Sequence, residues 1–146
     1  MSIFDIHKDV PKEIQVAISE SFGMFWFDPS ACGNKIRMIV ELIMDNQKVP
    51  KSQVKDGKRR SYVLHKRLEL FKSTKSAEAD LLMAIKWIGN SGSHTNGSLT
   101  KDDILDTCEI LDHVTMKIYK KESKRINDMG KKINKLKKSS RNKRKI

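Results

Sequence analysis

Asn90 and His94 stand in a stretch of small residues, Gly89-Asn-Ser-Gly-Ser-His-Thr-Asn-Gly-Ser-Leu99. Imidazole is the usual side chain for moving protons near neutral pH. His94 is the one histidine of four that lies in such a setting. The glycines at 89, 92 and 97 open backbone conformations that other residues rarely reach. Lys86, one helical turn before Asn90, adds a cation. In that setting His94 could carry acid–base work. The plainer account is that Asn90 caps a helix end and His94 bonds to backbone within a loop.

A second chemical feature is the C-terminal charge. Residues 1–119 carry 17 Lys/Arg and 16 Asp/Glu, a net of +1, whereas residues 120–146 carry 13 Lys/Arg against Glu122 and Asp128, a net of +11. The chain therefore reads as a nearly neutral body, 1–119, with a basic tail, 120–146. Lys131, Lys132, Lys135, Lys137, Lys138, Arg141, Lys143, Arg144 and Lys145 form a polyanion-binding arm, because each phosphate they neutralise releases condensed counterions. Its bland counterpart is a solubilising end. Arg37 and Glu41 lie four apart on one helix face, the spacing of a surface ion pair worth less than about 1 kcal/mol. Cys32 and Cys108 sit among apolar residues and read as buried, reduced thiols, which suits a reducing, cytoplasmic setting. No Gly-rich phosphate loop, zinc spacing, carboxylate dyad or Ser-His-Asp arrangement is present, so no metal or cofactor is expected. The N-terminus lacks the apolar stretch of a signal peptide, and no run reaches the length of a membrane span.

Helical spacing of apolar residues must position these groups. Pro11 starts a first helix at N1, followed by Ile14, Ala17, Ile18 and Phe22. Asp28-Pro29 reads as N-cap plus N1 of a second, with Ile36, Ile39, Val40 and Ile43, ending near Asn46. Residues 46–60 read as a polar loop. Ser61 caps a third helix with Leu64, Leu68 and Phe71, and Ser76 a fourth with Leu82 and Ile85, ending at Gly89. Thr100 with Asp103 forms a capping box for a fifth. Its apolar spacing continues through Ile126, Met129, Ile133 and Leu136, so it extends into the tail as a basic amphipathic segment. The aromatic run Phe25-Trp26-Phe27 and Trp87 read as core. The fold class is all-α, an up-and-down bundle of about five helices without a sheet. Ile18, Phe22, Ile36, Val40, Leu64, Leu68, Leu82, Ile85, Ile104, Leu111 and Ile118 are its expected core.

The segment from Lys86 to His94, with Leu99-Thr-x-x-Asp103 after it, resembles the signature of the bacterial domain-of-unknown-function family 4145 (DUF4145). That family reads Arg-x-x-Gly-Asn-x-x-x-His before its final helix. Ala31-Cys-Gly-Asn-Lys-Ile-Arg37-Met-Ile-Val-Glu41 is similar to its second helix, with Arg-x-x-x-Glu, and Ser19-Glu20-Ser21 to the place of a Glu in its first. The resemblance covers about residues 10–119. It implies a HEPN-like helical bundle, and many HEPN proteins are dimeric, metal-independent ribonucleases whose Arg…His motifs meet across the dimer.

On that resemblance His94 would handle protons at the ribose, Asn90 would position phosphate, and Glu20, Arg37 and Glu41 would form a supporting polar cluster near Lys86. In the Arg-Asn-x-x-x-His form of the HEPN motif Gly89 occupies the Arg position, and the family's own upstream Arg is here Lys86, which cannot reproduce a bidentate Arg grip on phosphate. The expectation is therefore a HEPN-like accessory module, homodimeric, binding RNA or DNA through its tail, or a protein partner, in a bacterial defence system. The alternative is an endoribonuclease using His94, Asn90 and Lys86.

Overall fold

Residues Ile36, Ile39, Val40, Ile43 and Met44 are all without solvent exposure, which makes their helix the centre of the molecule. This is α2 (Pro29–Asn46), and it packs against both α1 (Lys12–Phe25) and α4 (Ser76–His94). α4 packs in turn on α3 (Leu64–Lys72) and α5 (Lys101–Tyr119). A sixth helix, α6 (Lys121–Arg144), follows α5 after a single non-helical residue, Lys120, with ψ 108°. The computed structural model describes residues 2–94 and 100–144, with the side chains of 89–94, 122–124 and 142–144 outside that description.

Local sequence explains the helix ends. Asp28 accepts a hydrogen bond from the Ala31 amide at 3.1 Å, with Pro29 at N1, so α2 starts where its cap chemistry says it should. The capping box of α5 forms in both directions: Thr100 Oγ1 accepts from the Asp103 amide, and Asp103 accepts from the Thr100 amide. α2 ends in a Schellman arrangement. Lys48 takes the left-handed φ of 59°, and the Val49 amide donates back to the Met44 carbonyl at 3.0 Å. Pro11 sits one position earlier than expected, at the N-cap of α1.

The bundle is all-α, and of the eleven core residues expected from spacing, ten are buried; Ile118 is half-buried. Burial pushes the Cys32 thiol up to about 11 and Cys108 up to about 12, so both are inert in the fold.

Several expectations need correction. Where a loop without strands was expected, an antiparallel hairpin forms from β1 (Ser52–Lys55) and β2 (Lys58–Ser61). Ser61 ends β2, and Val63 takes the N-cap position of α3. The described residues hold six helices, because α5 and α6 are separate. α4 does not stop at Gly89 but runs to His94. Gly, Asn and Ser cost a helix under about 1 kcal/mol each, and a packed preceding turn propagates across them. Residues 95–99 of the expected loop lie outside the described residues. Trp26, Phe27 and Trp87 are exposed, at 52%, 90% and 56%, and only Phe25 of the aromatic group is core.

Candidate functional site

Lys86 is the buried cation of α4, only 6% exposed. Its ammonium lies 3.1 Å from His65 Nδ1 on α3 and 4.0 Å from the centroid of the Trp87 ring. His65 Nε2 lies 3.0 Å from Glu69 Oε1. An ammonium has only protons to give, so Nδ1 must accept. That fixes the Nε2–H tautomer of His65, which then donates to Glu69. The row Lys86–His65–Glu69 is therefore directional.

Burial, and then the nearby Arg37 guanidinium, hold the Lys86 ammonium below the ordinary lysine range. Arg37 itself has a buried Nε without a hydrogen-bond partner. Among the described residues, no carboxylate stands within 4.0 Å of either cation. Two desolvated positive groups at one place are costly alone and favourable around an anion. The chemistry this arrangement supports is anion retention, with a lysine that gives up its proton more easily than usual.

The supporting cluster expected from sequence does not assemble as drawn. Glu41 is exposed and makes no ion pair with Arg37. Glu20 is held 2.7 Å from Lys35, tying α1 to α2. Asn90 and His94 follow Lys86 at successive turns of continuous helix, and their side chains lie outside the described residues. His65, Glu69 and Trp87 were missed as site residues. Only the His65–Glu69 spacing of four was visible beforehand. Among the described residues, no three His, Cys, Asp or Glu side chains gather to hold a metal ion.

α6 is the second place of interest. Among the described residues it makes no extensive packing with another helix. The Lys121 amide donates back to Asp9 Oδ2 of the body at 3.0 Å, and that bond holds the Asp9 carboxyl below its usual range. Lys131, Lys132, Lys135, Lys137, Lys138 and Arg141 are all exposed. So are Ile126, Met129, Ile133 and Leu136, at 49–63%. At 100° per residue the apolar four fall on one face and Lys131, Lys135 and Lys138 opposite, a basic amphipathic helix. Lys143 and Arg144 lie in the last turn of α6 with side chains outside the described residues, as is the whole of Lys145. No helix among the described residues is long and apolar enough to cross a membrane.

A model for a domain of unknown function, DUF4145, matches residues 19–140. The chain belongs to the DUF4145 family. The match enters within α1, spans the Lys86 site and continues through most of α6, so that helix belongs to the region the DUF4145 model describes. No curated protein and no solved structure matches the chain.

The Lys86 environment leads to a stability prediction. Because the folded state lowers the ammonium's pKa, the charged form is disfavoured on folding. The penalty is full below the folded-state pKa and is relieved as pH rises from there to the unfolded-state pKa. Lys86→Met is therefore expected to stabilise the fold at pH 7 by about 1 kcal/mol, the low end for replacing a buried charge with a packed apolar chain. The gain should shrink in alkali. Urea unfolding at pH 7 and at high pH checks both points, and a destabilised variant would contradict them.

Proposed function

We propose that this DUF4145 chain is a non-catalytic nucleic-acid-binding module that grips phosphate through α6 and pairs with a second copy along the apolar stripe of the same helix. The observation that supports this reading is the isolation of α6. A helix with eight described exposed cations and four exposed apolar residues, without extensive packing on another helix, is unfavourable unless something meets it. Lys and Arg contacts to phosphate carry no base information, so binding by α6 is indifferent to sequence. The resemblance to HEPN domains is consistent with an accessory role beside a cytoplasmic defence enzyme.

Pairing and binding are coupled by charge. Ile126, Met129, Ile133 and Leu136 follow the 3-4-3 spacing of a coiled-coil seam. The flanking positions hold Arg125, Lys132 and Lys137, which repel across a homodimer. A polyanion laid along the helices removes that repulsion, so each event strengthens the other. Titration of the full chain into labelled RNA and DNA at several salt concentrations, with light scattering alongside, tests both parts. Binding should weaken steeply with salt, and the 16.8 kDa chain should dimerise more tightly when nucleic acid is present. Absence of binding even at about 50 mM salt overturns the reading, since nonspecific contacts are strongest there.

One observation favours a second reading, a metal-independent endoribonuclease. Lys86 has a depressed pKa, and Asn90 and His94 follow it on continuous helix at four-residue steps. Incubation with mixed RNA in EDTA, beside His94→Ala, decides it: cleavage that disappears in the variant supports an enzyme, and intact RNA excludes one.

A further inference from the structure

The β1–β2 hairpin is a strongly charged element that neither α6 nor the Lys86 site absorbs. Lys48, Lys51, Lys55, Lys58, Arg59 and Arg60 stand against a single acid, Asp56, a net of +5 within residues 48–60. The turn is Asp56-Gly57, with φ of 52° and 73°. Two successive left-handed residues match the twist of a two-residue hairpin, and Asp tolerates that conformation where most side chains do not. The base is closed by the Tyr62 amide donating to the Lys51 carbonyl at 2.8 Å.

The register sets Lys55 opposite Lys58, Val54 opposite Arg59, and Gln53 opposite Arg60. Successive side chains alternate between faces. One face therefore presents Gln53, Lys55, Lys58 and Arg60, and the other Ser52, Val54, Arg59 and Ser61. Every one of these is exposed except Ser52, which is half-buried. Among the described residues, no carboxylate lies within 4.0 Å of Lys55, Lys58, Arg59 or Arg60. The strands pack on each other and make no extensive packing with a helix among the described residues.

Those facts are hard to reconcile with a merely structural ribbon. An isolated two-stranded hairpin is marginal in water, and like charges set directly opposite weaken it further. A polyanion converts the same repulsion into attraction. We infer that the β1–β2 hairpin is a second nucleic-acid contact, which enters the major groove of duplex DNA with its Gln53/Lys55/Lys58/Arg60 face.

Shape selects the ligand. A two-stranded ribbon fits the major groove of B-form DNA, about 12 Å wide, whereas the major groove of A-form RNA is too deep and narrow to admit it. Chemistry agrees: Arg pairs with the guanine edge and Gln with the adenine edge, so this face reads bases where α6 only grips phosphate. The inference rests on the reading of the chain as a nucleic-acid binder, but it does not depend on α6 being the main contact.

The experiment uses the full chain. Wild type, Lys55→Gln/Lys58→Gln/Arg60→Gln, Gly57→Val and an α6 variant, Lys131→Gln/Lys135→Gln/Lys138→Gln, are titrated into matched duplexes of DNA and RNA. Wild type should prefer the DNA duplex. The hairpin triple variant should lose roughly tenfold or more in DNA affinity and between two and three units of salt slope, at about 0.9 per phosphate contact, with little change on RNA. Gly57→Val, which strains a left-handed turn position, should give a similar loss of preference. The α6 variant should weaken both ligands alike and keep the DNA preference. Unchanged circular dichroism and melting show that the bundle is intact, as neither strand joins the core.

Hairpin variants that bind DNA as wild type does overturn the inference and leave the binding function standing. Equal losses on DNA and RNA overturn the groove assignment. A wild-type chain that binds neither duplex overturns the function itself.

Discussion

A chain ending at Tyr119 is expected to bind nucleic acid on the order of 100-fold more weakly than the full chain at about 100 mM salt, with a shallower salt dependence. The physical reason is where the charge sits. The body carries a net of +1 and the segment from 120 onward +11, so nearly all long-range attraction for phosphate leaves with the tail. Six of the exposed cations on α6 line its outer length and meet phosphate: Lys131, Lys132, Lys135, Lys137, Lys138 and Arg141. Six such contacts make affinity fall by about a thousandfold between roughly 50 and 200 mM salt. The shortened chain keeps the hairpin, so residual binding with a slope of roughly −3 should remain, and it should survive better on DNA duplexes than on RNA. Truncation should leave the bundle folded, because α6 contributes nothing to the core and is tied back by the Asp9–Lys121 bond. Fluorescence anisotropy at four or more salt concentrations reads the slopes, and circular dichroism checks the fold. Equal affinities and equal slopes for the two chains would make the tail a bystander.

The helices were legible because their information is local and periodic. α2 shows it best: a capping aspartate, a proline at N1 and an apolar stripe agree on one answer. The hairpin was not legible from hydrophobic pattern, because both of its faces are exposed and alternation has no buried side to report. Its one signal was turn chemistry, Asp56-Gly57, the strongest short-range hairpin mark a sequence carries. Gly89 reads as a helix stop, yet propagation from the packed turn before it carries α4 on to His94. Trp26, Phe27 and Trp87 read as core by their size, yet Trp26 lies exposed with the Lys101 ammonium 4.9 Å from its ring, and Trp87 sits under Lys86. The Lys86–His65 contact joins residues 21 apart on different helices, a pairing that only the packing of α3 on α4 creates. Spacing rules describe neighbours on one element and cannot reach it.

Arg67 presents the same blind spot with a larger energetic consequence. It lies on α3 at 6% exposure, in a nine-residue helix whose other buried positions are apolar. One terminal nitrogen, Nη2, serves two acceptors: Asp45 Oδ1 at 2.8 Å and the Val49 carbonyl at 2.9 Å. Both acceptors belong to the end of α2, Asp45 in its last turn and Val49 just past the left-handed Lys48. A helix C-terminus is partly negative, so a guanidinium there meets the dipole, the carboxylate and a free carbonyl at once. The contact fixes α3 against α2 and sets the direction in which the chain leaves for the hairpin. Arg67→Ala deletes the donor, leaves the Val49 carbonyl without its partner and opens a cavity. Asp45 is one-third exposed and keeps Lys51 at 3.7 Å, so its share of the loss is softened by solvent. The expected cost is about 3 kcal/mol, the low end for breaking a buried ion pair. In a chain of this size that is a fall in melting temperature of roughly 10 °C. Asp45→Asn should cost less than Arg67→Ala, since the guanidinium keeps the Val49 carbonyl. The double variant should cost less than the sum of the two, because the partners share one interaction. Urea unfolding of the four chains measures all three comparisons. An Arg67→Ala chain within about 0.5 kcal/mol of wild type, the range of ordinary surface substitutions, would show that solvent replaces this contact at no cost.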